Sequence, residues 1–265
     1  QTREIIHSSR VSVFFIDEDQ IVTTSDVGSV EMIRECAEKE GSTVFCGEEL
    51  NLVSQFRCNG SDGYLAFLDN LLGIRRTANI QVDINYDIQV FDSPSKMRDA
   101  LREKNRVAKK SRMIAGYCYN WISKKDRNRY DIILPDGFRA QWNFSDTATW
   151  AIDDDSFEQV GCIHTSQGLE FDYVGIIIGK DLVFRDGEVQ TDFLARAKTD
   201  TSLKGIKSSR NYALADRIIR NTYRTILSRG QKGCFIYCED KALGDYIKRQ
   251  LHLVRTSLNK KSIRP

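Results

Sequence analysis

The feature that most constrains this chain is a set of short apolar runs without polar alternation. "YVGIII" (173–178) and "GCFIYC" (233–238) are the clearest. A strand with one wet face alternates apolar and polar residues. A run without alternation must be covered on both sides, as parallel strands between helices are. "VSVFFI" (11–16), "TVFC" (43–46), "IQVF" (88–91), "RMIAGYC" (112–118) and "VGCI" (160–163) read as strands of the same kind. "YDIIL" (130–134) is a strand entering a Pro-Asp-Gly turn. Between them lie stretches of helical period: 29–40, 62–73, 93–105, 211–229 and 241–251. Ser93 with Pro94 marks a helix start, and Gly41 and Gly73 mark ends. Strands alternating with helices predict an α/β fold with a mainly parallel sheet and helices on both faces. The polar stretch 181–210 is weakly periodic and reads as a long mobile excursion.

Composition narrows the classes. No run reaches the roughly 18 apolar residues of a membrane span. No signal peptide precedes the first apolar run, so the expected location is cytoplasmic, with no membrane partner. The seven cysteines lie in apolar runs or beside small residues and read as free thiols of a reducing compartment. Cys234 and Cys238 have no second Cys/His pair near them, so no metal site is expected there. The 39 basic and 37 acidic residues leave a net charge of +2, so nucleic-acid binding must rest on local patches. Two basic stretches, 101–112 and the tail 255–265, are either such patches or a solvated helix face and a frayed end. Trp121, Trp142 and Trp150 are either stacking surfaces or core.

Open α/β sheets bind ligands at the carboxyl ends of their strands, and four polar groups are expected at such ends or at a neighbouring helix end. They are Asp17-Glu18-Asp19-Gln20, Gln55-Phe56-Arg57, His164-Thr-Ser-Gln-Gly-Leu-Glu170 and Leu227-Ser228-Arg229-Gly230. Each alone is weak. In this order they resemble the motifs of superfamily 1 helicases of the UvrD/Rep type. "FFIDEDQ" looks like the third motif, "QFR" the fourth, "IHTSQGLEFDYV" the fifth and "NTYRTILSRGQKGCFIY" the sixth, with Ser228-Arg229 in place of Thr-Arg. The whole order is similar to a bacterial family of uncharacterised ATP-binding proteins with a Schlafen-like DNA/RNA helicase domain.

The resemblance implies a RecA-like fold, with residues 1–50 as the end of a first lobe and 51–265 as a second lobe. It implies ATP and Mg²⁺ as cofactors and DNA or RNA as partner. Arg229 and Arg57 would face the γ-phosphate, since phosphoryl transfer needs positive charge there. Gln20 would sense that phosphate, and Glu170 would hold the ribose hydroxyls. Gly168 would let backbone approach the nucleotide. Asp17 would lie at the nucleotide, either closing the third motif or holding Mg²⁺ with Glu18 as base. His164 and Thr165 would meet a nucleic-acid backbone.

The departures are as informative. No GxxxxGK[ST] phosphate cradle occurs in the sequence. The chain therefore reads as the later part of a longer protein, whose N-terminal P-loop lobe is an expected partner. Ile21 to Asp26 lack the base-stacking aromatic that UvrD-type enzymes carry after the third motif. Residues 58–163 leave no room for the large domain those enzymes insert there. The alternatives are a nucleic-acid motor, and an ATP-gated or degenerate binding module without unwinding activity.

Overall fold

The computed structural model describes residues 1–26, 28–50, 62–76, 86–145 and 147–262. The elements follow in order as α1 (Thr2–Ser8), α2 (Val30–Lys39), α3 (Asp62–Leu71), β1 (Asp87–Phe91), α4 (Pro94–Ala108) and β2 (Ser111–Ala115). Then come β3 (Ile132–Ile133), β4 (Arg139–Ala140), β5 (Val160–Gly161), β6 (Phe171–Ile178), β7 (Leu182–Arg185) and β8 (Glu188–Thr191). α5 (Ile206–Ser209), α6 (Tyr212–Leu227), β9 (Gly230–Cys238) and α7 (Lys241–Ser262) complete the chain.

Five strands form one sheet in the order β1-β9-β6-β2-β5, with every pairing parallel. The most apolar runs, β6 and β9, occupy its middle, as strands with no polar face must. Alternation assigns the two faces. Gly175 of β6 lies under Leu101 and Met97 of α4, and Lys104 of α4 covers the Tyr173 ring at 4.7 Å. On the opposite side, Gly244 of α7 approaches Cys238 of β9. This is an α/β RecA-like sheet with helices on both faces. α4 starts where its sequence predicts: the Ser93 side chain accepts the Lys96 amide at 3.1 Å.

Two expectations are corrected, and two open readings are decided. "VSVFFI" and "TVFC" form no strand, and Val11, Val13 and Phe15 are 82%, 73% and 79% exposed. A strand needs a neighbour to complete its ladder, and among the described residues none is offered to either segment. The stretch 181–210 is structured: β7 and β8 form a hairpin, and Asp192 caps the turn after it. Trp142 and Trp150 are core residues, 5% and 0% exposed. The 101–112 stretch is charge-paired on α4 (Arg102 to Glu158, Lys104 to Asp87, Arg106 to Glu103). Its last member, Arg112, is buried. Burial pushes this guanidinium down to about 10. Its hydrogen bonds run to Trp150 O, Ser156 Oγ, Asp153 O, Asn105 Oδ1 and Ser111 O, with no carboxylate among them. The six described cysteines are free, and burial raises the Cys162 and Cys238 thiols.

Trp150 therefore has two tasks. Its ring meets Phe171 edge-on at 6.0 Å, and its carbonyl serves Arg112. Trp150→Ala is expected to lower unfolding free energy by about 3–5 kcal/mol, read from urea denaturation.

Candidate functional site

The starts of β6 and β9 bring two of the motif segments together. Phe171 lies opposite Gly230 in the ladder, so the preceding residues, Glu170 and Arg229, end on neighbouring strands. The next pair is Tyr173 with Gly233, so β9 uses one residue more than β6. This bulge turns the start of β9 and requires its glycines. A Cβ on Gly230 would come 2.2 Å from Gly233 O, and one on Gly233 2.5 Å from Asp87 O. Arg229 is 4% exposed. Two tyrosines hold the backbone around it: Tyr64 OH donates to Leu227 O at 3.0 Å, and Tyr86 OH to Gly230 O at 3.0 Å. Arg57 and the rest of "QFR" lie outside the described residues. Tyr64 belongs to the helix directly after them.

The segment from Cys162 to Glu170 is sorted by side. Thr165 and Ser166 are buried, and His164, Gln167, Gly168 and Glu170 are exposed. The Thr165 hydroxyl donates to Asn143 Oδ1 and receives the Cys162 amide at 3.4 Å. Ser166 Oγ donates to Ile163 O at 2.9 Å. The two hydroxyls thus pin the loop from inside. Gly168 has φ +78°, and a Cβ there would meet nothing within 4 Å, so its backbone faces open space.

The turn Glu18–Gln20 is held on the side of α6. Asp17 accepts the Asp19 amide at 3.0 Å and Gln20 Nε2 at 2.7 Å, closing the turn on itself. Arg217 Nη2 donates to Glu18 O at 3.2 Å, and Asn221 Nδ2 to Ile21 O at 3.1 Å. Below them lies an alternating charge network. Asp69 receives Arg75 Nε at 2.6 Å and Arg224 Nε at 2.5 Å, and Asp19 receives Arg75 Nη2 at 2.8 Å. Arg224 Nη2 stands 3.7 Å from Asp19. Asp69, Arg75 and Arg224 were not singled out in the sequence. The available signal was a polar stripe on an amphipathic helix: Arg217, Asn221 and Arg224 recur at i, i+4 and i+7.

Residues 1–240 match the family described as Schlafen group 3, DNA/RNA helicase domain. The chain belongs to this family. The match covers the α/β sheet and each of the four motif segments. This Schlafen-type helicase domain is also similar to the uncharacterised protein YPL245W of Saccharomyces cerevisiae, at 25% identity over 173 residues. That similarity covers 62% of the chain and 37% of the yeast protein, so the chain spans well under half of that relative.

A helicase domain suggests nucleotide and metal use. Glu170 and the open backbone at Gly168 are exposed polar groups beside the β6 start. Among the described residues no three His, Cys, Asp or Glu side chains stand together as metal ligands. With no GxxxxGK[ST] segment either, a complete Mg²⁺–ATP site does not fit within these residues. No described helix is long and apolar enough to cross a membrane.

The charge network gives a test of how the domain holds its 17–20 turn. Asp69→Asn removes the carboxylate shared by two guanidiniums and is expected to cost about 3 kcal/mol in urea denaturation. Limited proteolysis of the 11–26 segment should accelerate in the same variant.

Proposed function

We propose that this chain is the trailing portion of a helicase-like ATPase that couples nucleotide binding and hydrolysis to nucleic-acid binding. In this reading residues 1–50 end a first RecA-like lobe and 51–265 form the second, and the P-loop belongs to an upstream lobe of the same protein. Arg229 and Arg57 act as the arginine fingers, which hold positive charge against a departing phosphoryl group. Gln20 senses the γ-phosphate. Glu170 and Gly168 take the ribose end of ATP, with Asp17 at the nucleotide. His164 serves the nucleic-acid side, while Thr165, expected beside it, is buried with its hydroxyl on Asn143 and supports the loop instead. When bound, Mg²⁺–ATP supplies the phosphoryl chemistry; this chain orients it and neutralises charge.

The observation that carries the reading is the shared attachment of two motif segments to one helix. The turn with Asp17 and Gln20 is bonded to the side of α6, and Arg229 directly follows its end. A shift of that turn is therefore a shift of the helix carrying Arg229.

An ATP-gated module that does not unwind is the second reading. One observation favours it. Ile21–Asp26 is occupied by its own contacts: Ile21 O bonds Asn221, and the Thr24 amide donates to Ser202 O at 2.7 Å. The segment that would stack a base in UvrD-type enzymes is thus both aromatic-free and tied down.

The test uses the longer protein that includes the upstream lobe. Arg229→Ala and Arg229→Lys should each lower ATP turnover by about 10³-fold or more, with nucleotide affinity nearly unchanged by fluorescent-analogue titration. Lys keeps the charge and the packing stem, so it separates loss of folding from loss of the guanidinium. Turnover that survives both variants overturns the assignment. Strand-separation assays then decide between motor and switch.

A further inference from the structure

The excursion between β2 and β5 carries a surface whose charge is not neutralised. Lys124, Lys125, Arg127 and Arg129 are exposed, with Asp126 the acid among them. Among the described residues none of these cations, nor neighbouring Lys198, enters an ion pair. α4 gives the contrast, since its Arg98, Arg102, Lys104 and Arg106 all have carboxylate partners within 3.5 Å. The two basic regions look alike in sequence and differ in what faces them.

The loop is held in place. Asp131 receives the Ser123 and Trp142 amides, both at 2.7 Å. Gln141 Nε2 donates to the carbonyls of Arg127 and Arg129. The Trp121 amide donates to Thr199 Oγ1 at 3.2 Å, and the Lys198 amide to Asn120 Oδ1 at 3.1 Å, which brings Lys198 beside the loop. The anchors are spent on backbone, so the cationic heads stay outward.

Aromatic surface is interleaved with this charge. Lys124 Nζ lies 4.5 Å from the Trp121 ring, the Arg127 guanidinium covers Phe144 at 4.0 Å, and Tyr130 is 46% exposed. Trp121 meets Trp142 edge-on at 6.2 Å, Trp142 meets Tyr117 at 5.8 Å, and Tyr117 meets His164 at 6.2 Å. A row of rings thus connects the cationic loop to exposed His164.

We propose that the face from His164 to the Lys124–Arg129 loop, with Lys198, binds single-stranded nucleic acid. The cations take backbone phosphates. Trp121 and Tyr130 take unpaired bases. An acidic protein surface would use the charges and leave the rings idle, so a nucleic-acid strand fits better. The proposal deepens the nucleic-acid part of the reading above and needs no ATP hydrolysis.

The test is fluorescence anisotropy of this chain with labelled single-stranded and duplex oligonucleotides, without nucleotide, over a range of salt. Losing two phosphate contacts in K124A/R127A should reduce the log–log salt slope by about 1.4 and weaken single-strand binding about 25-fold near 0.1 M salt. The pair K96A/R106A removes the same charge from α4 and should leave both values unchanged. Oligonucleotide quenching of tryptophan fluorescence should vanish in W121F. Circular dichroism checks that each variant is folded. Unchanged binding by K124A/R127A, or equal weakening by the α4 pair, overturns the proposal. So does duplex binding as tight as single-strand binding. A chain that binds no oligonucleotide would assign the face to an acidic partner instead. Basal ATP turnover of the longer protein should be untouched by K124A/R127A, so failure here is distinguishable from failure of the Arg229 assignment.

Discussion

The buried carboxylate of Asp69 is the contact on which the candidate site most depends. It stands between two guanidiniums, Arg75 and Arg224, and a second carboxylate, Asp19, closes the network from the 17–20 turn. Without it, the largely buried Arg224 would face half-exposed Arg75 with only Asp19 left between them. Such networks hold when complete and fail when one member is lost, because the remaining charge is left uncompensated. This network ties three distant pieces of chain together: the turn near residue 19, the end of α3 and the last turns of α6. Arg229 and the β9 bulge come directly after. Arg229 thus follows directly on a helix that this network anchors.

The domain also separates rigidity from exposure within single segments. In the Cys162–Glu170 loop, two hydroxyls face inward and are spent on holding the backbone. The groups able to meet a ligand, His164, Gln167 and Glu170, face outward. The Trp121–Tyr130 loop works the same way, with Asp131 and Gln141 bonding backbone while Lys and Arg heads stay in solvent. A near-neutral chain thereby gains a locally positive face without a high net charge.

Much of the sheet was legible in the sequence because burial on both faces leaves an unmistakable pattern. β1, β6, β9, α4 and α6 stand close to where period and capping placed them. "VSVFFI" carried the same pattern, yet it forms no strand, because apolarity records a demand for cover and cannot supply the neighbour. The tryptophans and the basic stretches were ambiguous for a related reason. An indole reads the same in a core as on a platform, and a lysine reads the same whether or not a carboxylate sits opposite.

The sequence by itself determined the fold class, the Schlafen-like helicase character and the order of the polar segments, since each rests on local pattern or on linear order. Only the tertiary structure decided that Glu170 and Arg229 are neighbours, that Asp69 joins the 17–20 turn to α6, and which cations are left unpaired. Those facts depend on strand register and on contacts between residues far apart in the chain, such as Ile21 with Asn221, 200 positions apart. Local pattern does not encode such pairings. They follow from how helices and strands pack once their apolar faces are buried.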